Sequence, residues 1–391
     1  MTMVHENRAL GEGSTTFGRY RLLSLLATGG MAEVFDAEML GPHGFRRRVA
    51  LKRILPSLAR DTEFLRAFID EARLQGMLVH PHIVQILDFD FIGEVPYLAM
   101  EFVEGCHLGQ LLSQVRSSRQ PLPSDQVLGL ITQIARGLEF AHRAKDVDGR
   151  PLKLIHRDLK PSNLLLGRDG LVRIADFGIA KASSNMVQTR PDTLKGSLPY
   201  MSPEQAGGAR ELTPASDVFS LGSVLYELLT LERLFRSDSP AGLISAVLRG
   251  PSDTSLARLN TLPGDCQPFI PVLERMLQLQ PTDRFCDAGG LLEALEALPI
   301  VPAQPPQLAR ALQTGPAPIV AAREAKLQPL SELPLELLLP IDTLTFPPSA
   351  GEHKRLQPPQ AVDSERIDVT PPAALEATIP AALEATTPAP I

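Results

Sequence analysis

Two short polar motifs lie close together near the middle of the chain. The first, within residues 155–163, contains Asp158, Lys160 and Asn163, and the second begins at Asp176, thirteen residues beyond Asn163. Phosphoryl transfer asks little covalent chemistry of a protein and much positioning of charge. Asp158 could accept a hydroxyl proton, and Lys160 could balance the charge on a moving phosphoryl group. The oxygen atoms of Asn163 and Asp176 could hold Mg²⁺.

The residues between these motifs predict a β-hairpin. Residues 164–166 are apolar, residues 171–175 are apolar except for Arg173, and the sequence Arg-Asp-Gly at 168–170 is typical of a turn. Asn163 and Asp176 then lie on opposite arms of the hairpin. We therefore expect the hairpin to bring the two proposed metal ligands together.

At these motifs the sequence resembles the catalytic loop and the metal-binding triplet Asp176-Phe177-Gly178 of protein kinases. More narrowly, it resembles bacterial eukaryotic-like (Hanks-type) serine/threonine protein kinases. A polar surface loop that matches by chance is disfavoured, because both motifs stand at the family's spacing. The resemblance implies an α+β, two-lobed protein-kinase fold, with a small, mainly β N-lobe and a larger, mainly α C-lobe. It also implies ATP and Mg²⁺ as cofactors, with Mn²⁺ as an alternative metal, and serine or threonine hydroxyls of protein substrates as acceptors.

A hairpin with a glycine-containing turn is predicted near the N-terminus, with strands at 20–26 and 33–38 and the turn at 27–32. The kinase pattern G-x-G-x-x-G-x-V is matched at Gly29 and Val34, whereas Ala27 and Ala32 replace its first and third glycines. Gly29 and Gly30 leave the backbone free to approach phosphate, and each alanine adds only one methyl group. We expect a working loop with altered nucleotide affinity.

The resemblance assigns further residues to the nucleotide site. These are Ala27, Thr28, Gly29, Gly30, Val34, Ala50, Lys52, Glu71, Met100, Glu101, Val103 and Asp176. Lys52 lies in a predicted strand at 48–54, where a lysine among apolar neighbours needs an anionic partner. The family supplies the nucleotide phosphates and Glu71, on a helix predicted to begin near Thr62. Asp70 is the neighbouring alternative partner, and a solvated acidic helix face is the structural alternative.

Residues 179–196 show no periodic pattern and correspond to the activation segment of the family. The resemblance implies that Arg157 binds a phosphorylated residue there, with Thr193 as the first candidate acceptor and Thr189 as the second. Unmodified threonines in a mobile loop are the alternative interpretation.

Four residues downstream have fold-holding or specificity roles in the family. Ser197 matches the hydroxyl residue that bonds the catalytic aspartate and lysine and accompanies serine/threonine specificity. Glu204 should pair with Arg284. Asp217 opens an apolar helix that runs to about Leu231 and should cap backbone amides of the catalytic loop.

Upstream, a long amphipathic helix is predicted at 124–142, with its first residue, a serine, as N-cap.

Composition limits the class of protein. The 391 residues carry a net charge of -7, so no basic excess exists to neutralise nucleic-acid phosphates. Cys106, Cys266 and Cys286 lie far apart, which predicts neither disulfides nor a zinc site and favours a reduced, cytoplasmic setting. No apolar run reaches the ~18 residues of a membrane span, and the N-terminus lacks the apolar core of a signal peptide.

The expected domain organisation is a flexible N-terminus at 1–19, a kinase domain at 20–298 and a Pro/Ala-rich disordered tail at 299–391. The N-lobe should cover about 20–102 and the C-lobe about 104–298. Residues 301–391 contain 17 of the 36 prolines, which interrupt helix and sheet alike. The functional alternative is a tail for self-phosphorylation or docking, with the apolar patch at 333–346 available to a partner.

Two rival functions use the same residues. A pseudokinase scaffold is favoured only by Ala27 and Ala32. A small-molecule phosphotransferase is disfavoured by the segment 196–204 together with Asp217 and Arg284, because these parts build a protein-substrate platform. The motifs do not specify the oligomeric state.

Overall fold

The computed structural model describes residues 16–177, 196–209, 211–314 and 328–329, with side chains described up to residue 310.

The N-terminal part of the fold is an antiparallel sheet. The strands are β1 Thr16–Phe17, β2 Tyr20–Thr28, β3 Ala32–Leu40, β4 Arg46–Ile54, β5 Ile86–Ile92, β6 Val95–Glu101 and β10 Gln328–Pro329. Their order is β1-β2-β3-β4-β6-β5, with β10 paired to β2. The predicted strands are thus present, each extended or shifted by a few residues.

One long helix packs against this sheet. After the short α1 (Pro56–Ala59), α2 (Thr62–Gly76) begins at the predicted residue. The side chain of Asp61 caps α2 by accepting hydrogen bonds from the backbone N–H groups of Glu63 and Phe64 at 3.0 Å. Phe64 and Phe68, one turn apart, bury the apolar face of α2 against the sheet. This packing sets the position of Glu71 on the same helix.

The C-terminal part is mainly helical. Its helices are α3 Leu108–Ser118, α4 Ser124–His142, α5 Pro203–Ala206, α6 Pro214–Thr230, α7 Pro240–Arg249, α8 Asp253–Leu259, α9 Phe269–Met276, α10 Ala288–Glu296 and α11 Pro305–Thr314. A small antiparallel sheet, β7 (Gly105–His107), β8 (Leu164–Gly167) and β9 (Val172–Ile174), lies beside them. Helices α4 and α6 supply much of the buried core. In the described ranges no helix combines the length and the apolar content that crossing a membrane requires.

Helix boundaries differ from the prediction at two residues. The bounds of α4 are as predicted, but Ser124 is not its N-cap; Pro123 occupies that position, because its extended backbone directly precedes the first helical residue. Helix α6 begins at Pro214, since proline suits the first turn of a helix. Asp217 therefore lies within the first turn of α6 instead of opening the helix.

Ordered elements also occur outside the predicted domain bounds. Phe17 in β1 is buried and packs edge-on against Tyr97, with ring centroids 5.7 Å apart. After residue 298, the backbone N–H of Ala303 donates to the carbonyl of Asp125 at 2.8 Å, and Leu308 on α11 is buried. Gly129 on α4 permits this approach, because a Cβ there would lie 2.4 Å from the Ala303 carbonyl oxygen. These elements depend on distant contacts that no local pattern reveals.

Several predictions fall outside the described ranges. They concern Gly178, Thr189 and Thr193 before residue 196, and the patch at 333–346 in the tail.

Leu308 tests whether the segment after residue 298 belongs to the folded unit. Leu308→Ala should lower the free energy of unfolding by about 2 kcal/mol, because it removes a buried side chain and leaves a cavity. Urea unfolding followed by circular dichroism measures the change. Val301→Ala, at a side chain that is 83% exposed, is the matched control and should shift stability by less than about 0.5 kcal/mol. Equal effects of the two substitutions would contradict the packing of α11.

Candidate active site

A buried carboxylate holds the backbone of the predicted catalytic loop. Oδ2 of Asp217 accepts a hydrogen bond from the His156 N–H at 2.7 Å, and Oδ1 accepts one from the Arg157 N–H at 3.0 Å. Nε2 of His142 lies 3.0 Å from Oδ2. Burial opposes ionisation, but these donors outweigh it and lower the pKa of Asp217 below its ordinary value. The predicted capping of loop amides by Asp217 is confirmed.

Two residues of the site adopt left-handed backbone conformations that favour glycine. The φ angle is 65° at Arg157 and 57° at Asp176. Such a conformation costs a non-glycine residue on the order of 1–3 kcal/mol and persists where the surroundings impose it. At Arg157 the N–H is held by Asp217, and the carbonyl accepts a hydrogen bond from Gln205 Nε2 at 2.8 Å. Contacts on both sides of Arg157 therefore maintain the strained loop.

His156 connects the loop to the strand that leads to Asp176. Its Nδ1 accepts a hydrogen bond from the Asp158 N–H at 3.2 Å, and its Nε2 lies 3.1 Å from the Ala175 carbonyl oxygen. These partners fit the neutral ring with the proton on Nε2. Burial lowers the pKa of His156, although Asp217 and Asp158 act in the opposite direction. The neutral ring thus accepts the hydrogen bond from the Asp158 N–H and donates one to the Ala175 carbonyl oxygen.

The predicted catalytic residues meet in one cluster. Lys160 Nζ donates to Asp158 Oδ2 at 2.9 Å and to Ser197 Oγ at 2.9 Å. Asn163 Nδ2 donates to the Asp158 carbonyl oxygen at 2.9 Å and lies 3.3 Å from its Oδ2. Since Ser197 lies 37 residues beyond Lys160, the fold and not the local sequence brings it here. The predicted contact between Ser197 and Lys160 is confirmed.

Lys52 reaches across from the N-terminal sheet to Asp176. Its Nζ donates to Asp176 Oδ1 at 2.9 Å. Burial would lower the pKa of Lys52, but the charges of Asp176 and Glu71 outweigh burial and raise it. The charge of Lys52 in turn lowers the pKa of Asp176. The charge of Glu71, the predicted partner, thus acts on Lys52, and Glu71 also accepts a hydrogen bond from Gln75 at 3.3 Å.

The strand register gathers the predicted nucleotide-facing residues. Val34 is paired with Ala27 on one side and with Lys52 on the other. Ala50 is paired with Met100. Directly paired residues project from the same face of a sheet, as do alternate residues of one strand, so all five lie on one face.

The turn between β2 and β3 is closed by a backbone hydrogen bond. The Gly29 N–H donates to the Ala32 carbonyl at 2.9 Å. This pairing draws the Gly29 amide back onto the turn that also contains Thr28 and Gly30. A phosphate at this turn would therefore compete with the Ala32 carbonyl for the Gly29 amide.

The segment after β6 has backbone groups without hydrogen bonds among the described residues and an anchored side chain at Glu101. Glu101 Oε1 accepts from the Gln85 N–H at 2.9 Å, and Glu101 Oε2 lies 3.5 Å from Arg173 Nε. The backbone groups of Val103 form no hydrogen bond among the described residues. Phe102 lies between these two residues in the sequence, and the guanidinium group of Arg48 lies 3.9 Å from the centroid of its ring. The side chain of Glu101 thus stabilises the segment, while the Val103 backbone could accept a ligand edge.

An ion pair in the helical part supports the segment around Ser197. Arg284 Nη1 and Nη2 bond Glu204 Oε1 and Oε2 at 2.8 and 2.9 Å, and Ser216 donates to Glu204 at 2.7 Å. The predicted pair is confirmed. Sequence reasoning assigned no role to Gln205 or His142, because their contacts join residues 48 and 75 positions apart.

Proteins with similar sequences and structures are known. Residues 20–295 match the family model described as protein kinase domain. Tyrosine-protein kinase MasK of Myxococcus xanthus is 40% identical over 280 residues, covering 72% of this chain and 43% of that protein. Serine/threonine-protein kinase PknA of Mycobacterium tuberculosis is 36% identical over 330 residues, covering 80% and 71%. A crystal structure of the M. tuberculosis PknI kinase domain is 27% identical, with a TM-score of 0.54, covering 74% of this chain and 98% of that one. The chain thus spans less than half of MasK.

The neutral state of buried His156 predicts a loss of stability in acid. Its folded-state pKa is lowered, so below about pH 6.5 the unfolded chain binds a proton that the folded chain does not. The free energy of unfolding should therefore fall as the pH drops below about 6.5. Urea unfolding between pH 7.5 and 5 measures this slope.

His156→Gln should reduce this slope, although other buried histidines keep part of it. His43→Gln, at an exposed side chain, is the matched control and should retain the wild-type slope. An unchanged slope in His156→Gln would contradict the assignment of a neutral, buried ring.

Proposed function

The chain belongs to the protein kinase family, and on this premise we propose that it transfers the γ-phosphoryl group of ATP to serine and threonine hydroxyls of proteins. The observation that carries the proposal is the cluster in which Lys160 bonds both Asp158 and Ser197 at 2.9 Å. Ser197 lies in the segment that would receive a protein substrate. The cluster thus joins a base, a cation and the substrate platform.

Each residue of the cluster has a role in this reaction. Asp158 orients the acceptor hydroxyl and accepts its proton, and Lys160 stabilises the negative charge on the transferred group. Asn163 and Asp176 would hold Mg²⁺, or Mn²⁺, since hard cations prefer oxygen ligands and the lowered pKa keeps Asp176 ionised. When bound, the metal ion neutralises phosphate charge.

The nucleotide would lie between the sheet and the catalytic cluster. Its base would contact Ala50, Val34 and Met100, and its edge would bond the free backbone of Val103. Lys52 would hold the phosphates, with Glu71 supporting its charge. Further contacts would come from the turn residues and the segment after β6, namely Ala27, Thr28, Gly29, Gly30 and Glu101.

The remaining expectations concern the whole protein. We place the catalytic domain at about 20–298, followed by α11, and the tail beyond it as a site for docking partners or self-phosphorylation. The free cysteines Cys106, Cys266 and Cys286 support a reducing, cytoplasmic location.

Asp158→Asn tests the reaction. This substitution keeps the size of the side chain but removes the base, so transfer of label from radiolabelled ATP with Mg²⁺ should fall by about 100-fold or more. Nucleotide binding measured by calorimetry should remain. Equal labelling by both proteins would contradict the role of Asp158, and absence of label in both with binding intact would favour a scaffold.

Acid hydrolysis of the labelled protein tests the acceptor class. Phosphoserine and phosphothreonine are expected; because one relative is named a tyrosine kinase, phosphotyrosine as the main product would overturn the proposed specificity.

Arg157 tests activation by phosphorylation. Its Nε is buried without a hydrogen-bond partner among the described residues, and burial lowers the pKa of its guanidinium. A phosphate on Thr193 or Thr189 would supply an acceptor for this nitrogen. Phosphatase treatment should therefore lower wild-type activity about tenfold, a change worth about 1.4 kcal/mol. Arg157→Gln should be equally low before and after treatment.

Arg150→Gln, at a guanidinium that is 77% exposed, is the matched control and should respond to phosphatase as the wild type does. A full response of Arg157→Gln would contradict this role.

A further inference from the structure

A basic pocket lies beside the segment that would receive a protein substrate. Its volume is about 430 Å³, and its lining includes Arg116 at the end of α3 and two arginines after α6, Arg233 and Arg236. Pro199 and Phe235 supply apolar walls. The pocket therefore suits an anionic side chain with an apolar neighbour.

Arg116 reaches the pocket from a buried ion pair. Its guanidinium bonds Glu227, which is 2% exposed, and Glu227 also accepts a hydrogen bond from the Tyr200 hydroxyl at 2.5 Å. Burial and Glu227 raise the pKa of Tyr200, whereas Arg233 and Arg116 act in the opposite direction. The positive charges of Arg116 and Arg233 therefore act on Tyr200, which lies three residues beyond Ser197.

The pocket retains an excess of positive charge. Arg236 and the nearby Arg258 share Glu232, at 3.0 and 3.4 Å. Arg233 is exposed and forms no ion pair within the described ranges. Including Arg116 with Glu227, four arginines face two glutamates. An incoming carboxylate would therefore meet an uncompensated cation at Arg233.

The position of the pocket matches a residue close to the phosphorylated one. Pro199 in its wall follows Ser197 by two residues, and Ser197 bonds Lys160 in the catalytic cluster. An extended peptide spans about 3.3–3.6 Å per residue, so a residue two positions from the acceptor lies roughly 7 Å from it. A side chain at that position can reach a neighbouring pocket while the hydroxyl stays at Asp158.

The tail of this chain repeats such a pattern. Three of its threonines have an acidic residue two positions earlier, in the pairs Asp368 and Thr370, Glu376 and Thr378, and Glu384 and Thr386. In each pair the intervening residue is valine or alanine. The charge and the apolar neighbour correspond to the chemistry of the pocket.

Building on the proposed kinase activity, we propose that the basic pocket binds the acidic side chain two residues before the acceptor. Its occupant is the tail of a second copy of this chain, which makes Thr370, Thr378 and Thr386 self-phosphorylation sites. In each reaction the threonine Oγ forms a bond to the γ-phosphorus of ATP. The bond from that phosphorus to the β–γ bridging oxygen breaks, ADP leaves with the electron pair, and the hydroxyl proton passes to Asp158.

Site mapping tests the substrate part. Full-length protein incubated with ATP and Mg²⁺ should carry phosphate on Thr370, Thr378 and Thr386, measured by mass spectrometry at early times. The triple variant Asp368→Asn, Glu376→Gln, Glu384→Gln should phosphorylate these threonines about tenfold more slowly. Its activity on a generic protein substrate should be unchanged. Equal rates in the triple variant, or no phosphate on these threonines while the generic substrate is labelled, would overturn the inference.

Binding tests the pocket without catalysis. A fluorescent peptide of residues 372–380 should bind the full-length triple variant about tenfold more tightly than the same peptide with Glu376→Gln. Arg233→Gln in the protein should remove this difference, and Arg249→Gln, an exposed arginine on α7, should not. Equal binding of both peptides would overturn the pocket assignment even if the kinase is active.

Two further arms make the binding test specific. A Glu376→Lys peptide should bind poorly to this protein and regain affinity when the protein also carries Arg233→Glu, which only a direct contact explains. A third peptide carries phosphoserine in place of Glu376. If this peptide binds and the peptide with Glu376 does not, the tail is overturned as the occupant. Retained binding without any transfer, even to a generic substrate, would overturn the proposed function and the self-phosphorylation sites but not the pocket.

Discussion

The site depends on the buried carboxylate of Asp217. A buried charge is costly unless donors surround it, and here the donors are the backbone of the catalytic loop and His142. Helix α6 is almost wholly buried, so core packing fixes the carboxylate in space. The carboxylate then fixes His156 and the left-handed Arg157, and these place Asp158. The hydrophobic core thereby positions Asp158, the proposed catalytic residue, through one side chain.

A second set of contacts joins the N-terminal sheet to the helical part. Lys52 bonds Asp176, and Gln75 on α2 donates to the Phe177 carbonyl at 3.3 Å. The motif at residue 176 is therefore held by a strand and by a helix at once. A shift of α2 would move Glu71 and Gln75 together.

The arginines of this chain differ in whether an anionic group binds them. Arg284 is buried and satisfied by Glu204 and backbone carbonyls, so it stabilises the fold. By contrast, Arg157 Nε is buried without a hydrogen-bond partner, and Arg233 forms no ion pair, among the described residues. A guanidinium kept near the site with unused donors favours binding of a phosphate or carboxylate that arrives from elsewhere. In our proposals these are the phosphorylated activation segment and an acidic tail.

The sequence by itself determined the identities and spacing of Asp158, Lys160, Asn163 and Asp176, and hence the family chemistry. It also predicted α2, α4 and the strands closely, because periodic burial is a local property. Tertiary structure alone decided the partners of these residues, such as Gln205 for Arg157. It also decided the ordered strand at Thr16–Phe17 and the pairing of β10 with β2. The physical reason is distance along the chain: Lys52 and Asp176 are 124 residues apart, and only packing of the whole domain brings them together.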